Sequence, residues 1–177
     1  MAIWITRKPF TPGKSLGGNP LFDGLAIFID THANQPSIHR KFPHIFLMNN
    51  SDDKYYFQDY DGGPDAISVC EPKMNILNQR TTAVLKYRNR NLSLWFKQGN
   101  STDTCFLKAY HNLDYDAYIS ISAGTGAATS KHKLFSIITR KIKEPSGETF
   151  IREYIFVIFL LLLVTFSKKF LIKKKSY

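Results

Sequence analysis

Asp30, His32 and Asn34 stand at alternate positions of one polar stretch, Asp30-Thr31-His32-Ala33-Asn34. Asp30 offers a carboxylate, Asn34 an amide carbonyl, and His32 its backbone carbonyl. These are hard oxygen donors of the kind Ca²⁺ takes, in sets of about six to eight with water included. A polar pair after a strand is also the ordinary make-up of a solvated turn, so the spacing alone leaves both readings open. Catalytic chemistry has less to work with. Glycoside hydrolysis needs two carboxylates flanking the scissile bond, and Glu71 is the only glutamate before Glu144. No strand-like run carries paired acids on one face, and no Ser/His/Asp or Cys/His set stands out. The sequence reads as that of a non-enzyme.

The elements that must position these residues read as strands. Leu25–Ile29 is an apolar, β-branched run ending at Asp30, the pattern of a buried strand. Similar runs recur at His44–Met48, Tyr55–Phe57, Thr82–Tyr87, Leu92–Lys97, Cys105–Ala109, Ala117–Ala123 and Leu134–Ile138. Thr82–Tyr87 and Leu92–Lys97, joined through Arg88-Asn89-Arg90-Asn91, form the pattern of a hairpin. No convincing helix appears before residue 148, and short strands separated by turn residues predict an all-β sandwich.

Charge is distributed unevenly. The formal net charge is +10, yet residues 1–138 hold 15 Lys/Arg against 11 Asp/Glu, whereas residues 139–177 hold 9 against 3. The excess lies in the tail, beside the apolar run Tyr154–Ser167, where it suits a membrane better than nucleic acid. Tyr154 to Ile172 is 19 residues, ~28 Å as a helix, and Lys168 and Lys169 could snorkel. The sequence therefore predicts a transmembrane helix over 154–172, a linker over 141–153 and a cytosolic tail over 173–177. Lys174 and Lys175 stand fourth and third from the carboxyl end. That spacing resembles the dilysine signal by which coat proteins return membrane proteins to the endoplasmic reticulum; a basic stop-transfer cluster would also supply these lysines. Two cysteines do not make a disulfide scaffold, and unpaired they would be ordinary buried residues. Sequons at Asn49, Asn91 and Asn100 are compatible with a secretory lumen.

Taken in order, GLAIFIDTHAN (Gly24–Asn34), FPHIFLMNN (Phe42–Asn50), Asp61-Gly62 and SAGTG (Ser122–Gly126) resemble the L-type lectins, and most closely the membrane-bound cargo lectins of the early secretory pathway. AIWITRKPFTPG (Ala2–Gly13) is similar to the family's segment before the first of these strands. The resemblance covers residues 1–139 and implies a legume-lectin-like jelly roll over 1–140. It implies a disulfide between Cys70 and Cys105, and hence an oxidising compartment. It implies Ca²⁺ held by Asp30, the His32 carbonyl, Asn34 and Asp61, with Asn34 also presenting its amide to a sugar hydroxyl.

The remaining sugar contacts implied by the family fall on Gln58, Gly126, Ala127 and Ala128. Gln58 replaces a histidine, and Ala127-Ala128 replace a small or acidic residue and a leucine. The family's aspartate before the first strand has no counterpart, and Met1–Phe10 has no signal-peptide pattern. The expectation is a sandwich incomplete at its amino terminus, with exposed edges. His44 resembles the transition-metal histidine of legume lectins, but Phe28 stands where that site needs an acid, so His44 reads as a packed histidine. The function implied is a Ca²⁺-dependent lectin that escorts high-mannose N-glycoproteins through endoplasmic reticulum, intermediate compartment and Golgi membranes, with its β-domain lumenal. The alternative is a degenerate relative that works through protein contacts. Mannose binding with and without calcium separates them.

Overall fold

A computed structural model describes residues 1–32, 34, 43–51, 55–56, 65–73, 76, 79–110, 112–113, 116–125, 131–141 and 154–163. In chain order the strands are β1 (Ala2–Thr6), β2 (Pro12–Ser15), β3 (Asp23–Asp30), β4 (His44–Ser51), β5 (Ala66–Cys70), β6 (Arg80–Arg88), β7 (Asn91–Gln98), β8 (Ser101–Tyr110), β9 (Tyr118–Ser122), β10 (Lys131–Lys141) and β11 (Tyr154–Leu163). They form two five-stranded sheets, ordered β5-β4-β3-β1-β9 and β10-β11-β6-β7-β8. Every pairing is antiparallel.

The alternation of side chains along each strand builds two apolar layers. Ile3, Ile5, Leu25, Ile27, Ile29, Ile45 and Leu47 leave one face of the first sheet and meet Leu85, Leu92, Leu94 and Phe96 of the second. The opposite face carries Ala2, Trp4, Ala26, Phe28, Phe46 and Met48, covered by Leu16, Phe22 and Tyr56. This central part of the first sheet is therefore dry on both sides. That explains why Leu25–Ile29 is uniformly apolar: a strand covered on both faces has no solvent side to alternate toward. Tyr55 and Tyr56, expected within a strand, belong to none. Tyr56 instead lies against the Phe28 and Phe46 rings.

The expected hairpin is present: Val84 pairs Trp95, and Arg88 pairs Asn91. Asn89 (φ 50°) and Arg90 (φ 60°) lie in the left-handed region that a two-residue type I′ turn demands. The expected disulfide is also present. Cys70 of β5 and Cys105 of β8 are joined with their Cα atoms 5.2 Å apart, linking the two sheets.

The tail departs from the expectation over residues 154–163. Tyr154–Leu163 is not helical; it is β11, hydrogen-bonded on one side to β6 and on the other to β10. A wholly apolar run rich in Ile, Val and aromatics meets the demands of a central strand as well as those of a helix, and periodicity cannot separate them. Among the described residues no helix is long and apolar enough to cross a membrane. The rest of the expected span, with Lys174 and Lys175, lies outside the described residues.

Candidate functional site

Register brings distant motifs to one end of the first sheet. Ala2 pairs with Phe28 on one side and with Ser122 on the other, Asp30 pairs with His44, and Ile45 pairs with Cys70. The end of β9, the start of β1, the end of β3 and the start of β4 therefore share one rim. The Asp30 loop, the FPHI segment and the start of SAGTG come together there, though 92 residues separate Asp30 from Ser122.

Asp30 is two residues beyond Phe28 and shares its face of the strand. It is 4% exposed, and its Oδ1 accepts the His32 N–H at 3.0 Å. This Asx-type turn carries the chain off the strand, leaving His32 and Asn34 exposed while the carboxylate stays at the buried strand end. His44, directly opposite, is buried with its ring 5.5 Å from that of Phe46. It sits as the packed histidine the sequence suggests. The Met1 ammonium donates to the Ile29 carbonyl at 3.0 Å. Burial lowers its pKa to about 5, a shift the nearby Asp30 charge partly opposes.

Beneath the rim lies an aromatic floor. Phe28 stacks on Phe46 at 5.0 Å, and Tyr56 lies 4.7 Å from Phe28. Ser15 Oγ donates to the Tyr56 carbonyl, and the Tyr56 N–H donates to the Pro20 carbonyl. The sequence marks Tyr56 only as part of a strand; its role in tying the β4–β5 connection to this face depends on tertiary contact. SAGTG likewise has a packing role at its first residues. Trp4 Nε1 donates to Ser122 Oγ, which donates to the Leu16 carbonyl, both at 2.8 Å. A Cβ on Gly124 would stand 2.8 Å from the Gly17 nitrogen, so the backbone approach requires glycine.

Asp30 and the His32 N–H are thus joined in one turn with Asn34 exposed two residues on, whereas Asp61, Gln58, Gly126, Ala127 and Ala128 lie outside the described residues. Among the described residues no three His, Cys, Asp or Glu side chains cluster as a metal site. The donor set nonetheless fits a hard cation: one buried carboxylate, with exposed carbonyl and amide positions two and four residues on. A separate cavity of about 270 Å³ lies at the other end of β1 and β3, lined by Trp4, Thr6, Phe10, Asn19, Phe22 and Asp23. Its Asp23 pairs with Arg7 at 3.4 Å.

The Legume-like lectin family model matches residues 1–149. This chain belongs to the legume-like lectin family. As a legume-like lectin it is similar to the mouse vesicular integral-membrane protein VIP36, at 30% identity over 139 residues, which is 77% of this chain and 39% of that protein. It is also similar to an L-type lectin-like domain-containing protein of Schizosaccharomyces pombe, at 27% identity over 84% of this chain and 48% of that protein. The chain thus spans less than half the length of these relatives. The lumenal domain of VIP36 in its Ca²⁺-bound form has the same fold, with TM-score 0.66 and 24% identity, covering 93% of this chain and 60% of that one. A form of VIP36 bound to Ca²⁺ and Man3GlcNAc superposes with TM-score 0.65.

Proposed function

We propose that this legume-like lectin binds Ca²⁺ at the Asp30 rim and, through it, the mannose residues of high-mannose N-glycoproteins in the endoplasmic reticulum–Golgi pathway. The observation that carries the reading is the register that sets the Asp30 loop, His44 and Ser122 on one rim above the Phe28–Phe46–Tyr56 floor. Asp30, the His32 carbonyl, Asn34 and Asp61 would hold the ion. Asp61 is five residues beyond Tyr56, a stretch that reaches up to ~17 Å, against ~7 Å between Phe28 and Asp30 along β3. Tyr56 therefore anchors the connection within reach of the rim. Calcium, when bound, supplies a fixed positive centre that holds the loop carbonyls in place. Asn34 then offers its amide to a sugar hydroxyl, Gln58 can donate or accept, and the backbone at Gly126, Ala127 and Ala128 closes the site.

In this reading the groups bind and orient, and the function is non-catalytic. The relatives named as VIP36 bind Ca²⁺ and mannose glycans in their structures, which supports the same chemistry here. A second reading is favoured by the side chains at Ala127 and Ala128, which offer no polar atom to a hydroxyl. Under it the fold and ion remain, and the chain works through protein contacts.

Calorimetry of the full chain with calcium, then with mannotriose in calcium or EDTA, tests both. Calcium at 100 times its Kd should stabilise the fold by about 2.7 kcal/mol, and Asp30→Asn should remove that gain. Mannotriose heat that vanishes in EDTA supports the lectin. Calcium binding without sugar binding leaves the second reading, and no calcium binding overturns both.

A further inference from the structure

The second sheet ends on a strand built unlike the other edges. β10 runs eleven residues, Lys131-His-Lys-Leu-Phe-Ser-Ile-Ile-Thr-Arg-Lys141. Among the described strands it has a neighbour, β11, on one side only. β5 and β9, which edge the first sheet, have five residues each, and β8 is tied across to β5 by the disulfide. Along β10, Leu134, Phe135, Ile137 and Ile138 are 36–44% exposed. Ile137 and Ile138 are consecutive and so point to opposite faces of the sheet. Lys131 and Lys133 precede this apolar middle, and Arg140 and Lys141 follow it. Arg80 and Lys133 both stand over the Phe135 ring, at 4.9 and 5.0 Å. Lys131, Lys133 and Arg140 have no carboxylate partner among the described residues.

We propose that the free edge of β10 docks an extended peptide segment with an apolar, β-branched middle and acidic residues at both ends. An edge strand offers unpaired N–H and C=O groups, and an added strand satisfies them while its side chains fall on both faces. Exposed apolar groups on both faces match such a strand; a flat lipid surface would meet one face only. A second copy of this chain is disfavoured by charge. Antiparallel self-pairing that overlaps residues 134–138 sets Lys131 near Lys141 and Lys133 near Thr139 and Arg140, and like charges opposite one another destabilise a sheet. Acidic ends reverse that term. The docking is independent of the Asp30 rim.

The test uses the full chain and two fluorescent peptides with the same Val-Thr-Val-Thr-Val middle, one flanked by glutamates and one by lysines. The glutamate-flanked peptide should bind roughly tenfold or more tightly than the other, and N-methylation of alternate amides in its middle should abolish binding. The double variant Lys131→Glu/Lys133→Glu, with its fold checked by circular dichroism, should lose most of that preference. The single exposed variant Lys133→Glu should lose part of it. Equal binding of the two peptides, or undiminished binding after N-methylation, overturns the proposal. So does self-association in sedimentation that Ile137→Lys abolishes, or capture by phosphatidylserine vesicles that the peptide does not compete.

Discussion

Gly18 lies against the indole of Trp4 so closely that any Cβ there would overlap the ring. Neighbouring groups hold the ring where it is. Trp4 is 1% exposed, meets Phe22 and Phe28 edge-on, and is held by its Nε1 bond to Ser122. Gly18→Ala should therefore destabilise the chain by about 1–3 kcal/mol through overpacking, read as a lower urea midpoint. Ser122→Ala leaves the indole N–H without its acceptor, at a cost of about 1–3 kcal/mol. The same denaturation experiment should show it. Residue types alone marked Asp30 and Asn34 as hard-oxygen donors, because such groups at close spacing are visible in one dimension. Tyr56 was not legible, since its role arises from Phe28 and Phe46, which belong to two different strands.

At the scale of elements, the disulfide is the covalent tie between the sheets. It closes a sequence separation of 35, for which loop-closure entropy gives about 3–4 kcal/mol. Cys70→Ala/Cys105→Ala, or reduction, should lower the unfolding free energy by that order in urea titrations. β10 brings a pH dependence. Its His132 has a pKa lowered to about 4, first by burial and then by the charge of the amino terminus. The folded chain thus holds this imidazole neutral, while the unfolded chain protonates it near pH 6.5. Its contribution to stability is full above about pH 6.5 and is lost as pH falls toward about 4. Thermal midpoints between pH 7.5 and 4.5 should fall less steeply for His132→Gln than for the parent.

For the whole molecule, the tail decides between two incompatible arrangements. With Tyr154–Leu163 in the sheet, only residues 164–172 remain of the apolar stretch, and nine residues make ~14 Å of helix against a hydrocarbon core of ~30 Å. Strand and span therefore exclude each other, as do a completed second sheet and cytosolic access of Lys174 and Lys175 to coat proteins. With β11 seated, alkaline carbonate should release the chain from membranes, and the amides of 154–163 should be protected from hydrogen exchange. Retention, with the lysines open to protease from the cytosolic side, is the outcome under which the dilysine reading stands.

The amino-acid sequence by itself determined the β class, the hairpin at Arg88–Asn91, the donor types at Asp30–Asn34 and the family. These are written in local patterning and short motifs, which need no knowledge of distant contacts. Only tertiary structure decided that Ser122 meets Ala2, that Asp30 faces His44, and that Tyr56 floors the rim. Pairing across tens of residues is chosen by burial and register, and local sequence carries neither. The apolar tail shows the same limit from the other side. Its composition suits bilayer and sheet alike, and only the gap between β6 and β10 assigns it to the sheet.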